Sequence, residues 1–180
     1  LLAGDVMLVK AYEYLSNIDN SFLKPIMQLF NQTAREVCEG QQWDMDFEKQ
    51  DTVGLDEYLR MIELKTSVLL AASLQMGAIL GGAGEGNRMH LYDFGRNLGI
   101  AFQVQDDYLD AFGDPALTGK QRGGDLRAGK KTWLLLRGLE LVGSDLRAQL
   151  SAAPADRPPW SRAQQESRPA PAPDRAPEMR

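Results

Sequence analysis

Cysteine and histidine are almost missing from this sequence. Cys38 is the only cysteine and His90 the only histidine. A single cysteine excludes an internal disulfide and a thiolate metal cluster. A single histidine leaves almost no material for a histidine-centred metal site or a Ser-His-Asp triad. Basic residues are outnumbered 20 to 25, and the net charge of −5 argues against nucleic acid as the main partner. No continuous apolar run approaches the roughly 18 residues that a spanning helix needs, so no transmembrane segment is expected. The opening LLAGDVMLVK carries Asp5 and has no basic leader, so it does not read as a signal peptide. With the lone cysteine, this fits a reducing cytoplasm. The opening also lacks an initiator methionine and starts mid-rhythm, so the chain is expected to begin inside a longer protein.

What is present is apolar periodicity. Hydrophobic residues make up 43% of the 180, enough for one globular domain. Residues 5–16 carry a helical rhythm through Val6, Val9 and Leu15. In 21–39, Ser21 reads as an N-cap, and Phe22, Ile26, Leu29, Phe30, Thr33 and Val37 recur at three- and four-residue steps. A polar, acidic stretch from Glu39 to Asp56 follows. Residues 56–80 are apolar on most sides, the mark of a central helix. The cluster Gly81-Gly82-Ala83-Gly84-Glu85-Gly86 follows a helix rather than a strand and lacks phosphate-loop spacing, so it reads as a turn. Two more helices are expected at 87–112 and 129–150, with a glycine- and cation-rich loop at 116–128 between them. No strand pairs emerge, and the class is all-α. The domain is placed at 1–150. Residues 151–180 hold most of the chain's nine prolines and little apolar rhythm. Such a tail buries too little surface to offset its chain entropy, so disorder is expected there.

The sharpest chemical signal is Phe102-Gln103-Val104-Gln105-Asp106-Asp107-Tyr108-Leu109-Asp110. On a helix, Gln103, Asp106, Asp107 and Asp110 share one face at three- and four-residue spacing. Three carboxylates so placed repel one another, and a hard cation converts that repulsion into ligation. Mg²⁺ suits the pattern because it takes one or two carboxylates, waters and phosphate oxygens. The bland alternative is a solvated acidic turn. Nearby, Lys120 lies in Thr118-Gly119-Lys120-Gln121-Arg122-Gly123-Gly124-Asp125, and Lys130 and Lys131 follow. Glycines let the backbone approach an anion closely; alone, this is equally a solvated basic loop. Lys65-Thr66 sits inside the apolar helix, where the lysine either snorkels outward or faces a polar cavity. Gly40-Gln41-Gln42-Trp43-Asp44 taken alone reads as a helix end.

Taken in order, these segments resemble the trans-isoprenyl diphosphate synthases, the family of farnesyl and geranylgeranyl diphosphate synthases. The likeness rests on Gln41 with Asp44, Lys65-Thr66, the Phe102–Asp110 motif, Gly119-Lys120, Gly124-Asp125 and Lys130, and covers roughly residues 1–150. It implies a class I isoprenoid synthase helical bundle with its N-terminal helices missing. It also implies head-to-tail prenyl transfer, in which an allylic diphosphate ionises with Mg²⁺ and is attacked by isopentenyl diphosphate. By resemblance, Asp106 heads the Mg²⁺ ligands, and Asp107 and Asp110 ligate or orient bound waters. Lys120 and Lys130 would hold the allylic diphosphate, and Lys65, Thr66 and Gln103 would line the carbocation side. A homodimer is implied for a full-length protein.

The departures are as specific. The family's first aspartate-rich motif and its following arginines have no counterpart before residue 106. The family's last helices are replaced by the proline-rich tail. A fragment of a synthase is therefore expected, with little turnover on its own. A non-catalytic partner subunit is the alternative, although such subunits usually lose the aspartates retained here. A terpene cyclase fits less well, because its Asn/Ser/Glu-type second metal motif does not occur.

Overall fold

A computed structural model describes residues 2–119 and 121–143, and every regular element among them is helical. The elements are α1 (Leu2–Ser16), α2 (Asn20–Phe47), α3 (Leu55–Ile62), a π-helical turn (Glu63–Ser67), α4 (Val68–Leu80), α5 (Glu85–Phe112), the short α6 (Pro115–Thr118) and α7 (Gly124–Arg127), and α8 (Trp133–Leu141). The all-α expectation holds for these residues. Lys120 and the expected disordered tail at 151–180 lie outside them, as does the end of the helix expected to reach 150.

Several boundaries differ from the sequence reading, each for a local reason. The N-cap of α2 is Asp19 rather than Ser21: its carboxylate accepts the Ser21 N–H at 2.8 Å. A carboxylate there also suits the positive end of the helix dipole. The same helix continues through Gly40 to Phe47 instead of ending at Glu39. The polar stretch after Glu39 is thus helical as far as Phe47, with Gly40 and Phe47 buried, and only residues 48–54 form a loop before α3. The helix expected at 129 starts at Trp133, because Thr132 takes the cap and its hydroxyl accepts the Leu135 N–H. The expected turn at Gly81–Gly86 is confined to residues 81–84, with Gly82 in the left-handed region at φ 71°, and Glu85 and Gly86 already form the first turn of α5.

From α3 through the π turn to α4, the chain forms one 26-residue helical run, Leu55–Leu80. By length and composition alone it could cross a membrane. Here it is the central helix: Ile62, Leu64, Val68, Ala71, Ala72 and Ile79 are buried against their neighbours. Small residues let those neighbours come close. A Cβ built on Gly40 of α2 would lie 2.3 Å from the Lys65 backbone nitrogen. One built on Gly99 of α5 would lie 2.5 Å from Ser67 Cα, and one on Gly95 would lie 2.7 Å from Ala71 Cα. The π turn is therefore gripped by glycine from both flanking helices. Below it, Phe47, Tyr58, Met61, Ile62 and Leu136 form a core that ties the end of α2 to α3 and α8.

Candidate functional site

In the π turn, the Val68 N–H reaches back five residues to the Glu63 carbonyl. Such wide turns shift the register of the side chains that follow and are frequent at functional sites. Lys65 and Thr66 sit inside this one. Lys65 Nζ lies 2.6 Å from Asp44 Oδ2 on α2, so the half-buried lysine is paired. Thr66 Oγ1 donates to Gln103 Oε1 at 3.3 Å. With its oxygen facing Thr66, the Gln103 amide group can hydrogen-bond Asp107 one turn further along α5, where it favours the ionised carboxylate.

The three aspartates of α5 divide. Asp106 is half-buried. Asp107 and Asp110 are only 5% and 6% exposed, which is unusual for carboxylates unless they are fully hydrogen-bonded. Asp107 Oδ2 accepts the Tyr58 hydroxyl at 2.5 Å and the Trp133 backbone N–H at 2.9 Å. Burial pushes the Asp107 carboxyl above the usual carboxylate range, while its hydrogen bonds with Tyr58, Trp133 and Gln103 pull the other way. Burial, followed by the neighbouring Asp107, pushes the Tyr58 hydroxyl well above the ordinary tyrosine value. Asp110 accepts the Asp125 N–H on Oδ2 at 3.1 Å, and its main-chain carbonyl accepts the Gly123 N–H at 2.6 Å.

These contacts fasten the loop after α5, and the loop's own structure presents Lys130. Two residues past the end of α7, Gly129 sits at φ 72°, a conformation that favours glycine. The Gly129 N–H returns to the Leu126 carbonyl and the Lys130 N–H to the Asp125 carbonyl, the paired bonds of a Schellman cap. Asp125 and Lys130, five residues apart, are thereby brought side by side, with Nζ 2.7 Å from Asp125 Oδ1. That hydrogen bond raises the Lys130 pKa, and the charges of Asp125, Asp44 and Asp110 add to the effect.

Thus Thr66, Gln103 and Asp107 form one linked set, and Lys65 is held beside it by Asp44. Asp107 and Asp110 lie against the Lys130 loop. The sequence reading did not single out Tyr58. Its partner lies 49 residues away, and a tyrosine on an amphipathic helix looks like an ordinary core aromatic.

The family model for Polyprenyl synthetase matches residues 1–165. The chain belongs to the polyprenyl synthetase family. It is 44% identical over 142 residues to a geranylgeranyl diphosphate synthase of Methanosarcina mazei, covering 78% of this chain and 44% of that protein. It is also 44% identical over 132 residues to a (2E,6E)-farnesyl diphosphate synthase of Mycobacterium tuberculosis, covering 73% of this chain and 37% of that one. Among solved structures, a geranylgeranyl pyrophosphate synthase superposes with a TM-score of 0.80 at 46% identity, over 91% of this chain and 50% of the other. A Corynebacterium glutamicum geranylgeranyl pyrophosphate synthase, complexed with isoprenyl diphosphate and magnesium, gives a TM-score of 0.73 at 32% identity, over 82% of this chain and 43% of that chain. The chain therefore spans about half the length, or less, of these relatives. Their likeness identifies the fold as the all-α isoprenoid synthase bundle.

Proposed function

We propose that this chain carries one side of a site for head-to-tail prenyl transfer between an allylic diphosphate and isopentenyl diphosphate. The observation that carries the reading is the Thr66–Gln103–Asp107 relay, with Lys65 beside it and Lys130 on the adjoining loop, in a member of this family. Ionisation of an allylic diphosphate builds negative charge at one end of the substrate and positive charge at the other. The site offers cations and carboxylates for the first, and neutral oxygens for the second.

The donor set fits Mg²⁺. Among the described residues no three acidic or histidine side chains close into a metal cage. Mg²⁺ asks for less, namely one or two carboxylates with waters and phosphate oxygens. Asp106 would hold it, with Asp107 and Asp110 ligating or orienting its waters. When bound, the ion neutralises charge on a leaving diphosphate. Lys130, and Lys120 earlier in the same segment, would grip the diphosphate oxygens. The Thr66 hydroxyl and the carbonyl oxygens near the π turn would face the cation end, where apolar neighbours exclude water.

The test is transfer of radiolabelled isopentenyl diphosphate onto geranyl diphosphate. The 180-residue chain would be compared with a form joined to the half of a relative that carries the first aspartate-rich motif. We expect little turnover from the chain alone, activity in the joined form, and loss of that activity in its Asp106→Ala variant. Turnover by the chain alone at about 1 s⁻¹ or more would show that it needs no second half. Inactivity of both forms would favour a non-catalytic partner subunit.

A further inference from the structure

We propose that Tyr58 is a positioning residue: its hydroxyl holds Asp107 as the anchor of the lysine-bearing loop, which leaves direct ligation of a metal to Asp106 and limits Asp107 to orienting the ion's waters. This rests on the reading of the site as a diphosphate site. Tyr58 reaches Asp107 from α3, and Trp133, the first residue of α8, reaches the same carboxylate oxygen from the other side. Both Tyr58 and Asp107 are buried, at 3% and 5% exposure. One oxygen therefore joins three helices that are far apart in sequence. Trp133 stands three residues after Lys130. Its N–H is one of the free donors at a helix start, and the Asp107 carboxylate gives it a charged acceptor.

The second anchor is Asp110, which takes the Gly123 N–H on its main-chain carbonyl and the Asp125 N–H on its side chain. The loop from Gly113 to Thr132 is thus fastened near Gly123 and Asp125 by Asp110, and at its far end by Asp107. Lys130 lies between the two anchors, and its ammonium is held by Asp125. Turning Asp107 towards a metal would leave two donors, the Tyr58 hydroxyl and the Trp133 N–H, without their acceptor in a buried setting. The hydroxyl of Tyr58 opposes that rotation, so the division of labour among the three carboxylates follows from a residue outside the motif.

Tyr58→Phe tests this, since it keeps the ring among Phe47, Met61, Ile62 and Leu136 and removes only the hydroxyl. Amide exchange is read by NMR on the whole chain. We expect the Trp133 amide to exchange about tenfold faster or more in the variant, with Ala72 in α4 unchanged. In the same samples, binding of inorganic pyrophosphate with Mg²⁺ is measured by calorimetry well below both unfolding transitions. We expect about tenfold weaker binding for Tyr58→Phe, the scale of one lost hydrogen bond to a charged group. A merely structural tyrosine would lower stability and leave that affinity unchanged, which would overturn the proposal, as would unaltered Trp133 exchange. If the unsubstituted chain binds no Mg²⁺–pyrophosphate, the diphosphate-site reading fails, while the exchange result still decides the anchor. Should Tyr58→Phe not fold, Asp107→Asn, which keeps an acceptor oxygen, is compared with Asp107→Ala. Retained Trp133 protection in Asn alone supports the anchor, and equal loss in both overturns it.

Discussion

On the Lys65 side of the site, backbone lies on backbone: Gly40 abuts the Leu64–Lys65 peptide and Gly99 abuts Ser67. On the Lys130 side, side-chain carboxylates hold loop amides, and among the described residues a Cβ on Gly124 would meet only Asp110 Oδ1, at 3.2 Å. The first wall can yield little, because its nearest atoms, Lys65 N, Leu64 C and Ser67 Cα, are main chain of hydrogen-bonded helices. The second can yield, because a carboxylate turns on its own χ angles. A rigid wall suits the groups whose oxygens must already point at developing charge, and an adjustable one suits a loop that grips a diphosphate.

The largest expected effect breaks the rigid wall. Gly40→Ala places a Cβ 2.3 Å from Lys65 N and 2.7 Å from Leu64 C, both main-chain atoms. Overpacking of a close interface usually costs about 1–3 kcal/mol and can exceed that. Here we expect the upper end, about 3 kcal/mol or more, as a drop in the urea midpoint. Gly138→Ala is the control: it lies inside α8, meets nothing within 4 Å among the described residues, and should be neutral or slightly stabilising by up to about 1 kcal/mol. Equal losses in the two variants would refute the close-packed wall.

This contrast also marks how far the sequence could be read. Helical spacing placed Asp106, Asp107 and Asp110 together, because a rigid 3.6-residue period needs no tertiary knowledge. The apolar run at 56–80 announced a central helix for the same reason. The π turn within it left no such mark: Glu-Leu-Lys-Thr-Ser fits an α-helix equally well, and the wide turn goes with close approach by Gly40 and Gly99 from distant segments. Gly40-Gln41-Gln42-Trp43-Asp44 alone reads as a helix end, yet α2 runs through it; the low helix propensity of Gly40 is overridden by its tertiary contact. The burial of Asp107 and Asp110 was equally hidden, since their partners Tyr58, Gly123, Asp125 and Trp133 are set by how the loop folds back.

The next effect is electrostatic. Asp44→Asn removes the charge facing Lys65, whose side chain is about one-third exposed. A pair intermediate between surface and interior should be worth about 1–2 kcal/mol, between the values for exposed and fully buried bridges. The check is a double-mutant cycle with Lys65→Met. A coupling energy near zero would show that the two groups are neighbours without being partners. Gly124→Ala comes after it, and probes the adjustable wall. The Asp110 carboxylate needs to give only a few tenths of an ångström, so we expect a loss below about 1 kcal/mol, well under that of Gly40→Ala.

The smallest expected effect is a pH dependence on the Lys130 side. Asp125 raises the Lys130 pKa in the folded chain, with Asp44 and Asp110 adding to it. The folded state therefore holds this proton more tightly than the unfolded state does. Its stabilisation is fully present below the unfolded lysine value of about 10.4 and is lost as pH rises through the higher folded value. Because the Lys130 side chain is about half exposed, water and salt screen the pair, and we expect only about 0.2–1 kcal/mol. Urea midpoints of the unsubstituted chain and Lys130→Met, taken from about pH 9 to pH 12, should converge as the ammonium is lost. Subtracting the variant removes the other tyrosines and lysines that titrate in the same range. The gap should also narrow in about 1 M salt, where the screening length falls to roughly 3 Å. A gap that stays constant across the pH range would mean that Lys130 contributes packing by its stem alone, and the ion pair with Asp125 would then have no role in holding the loop.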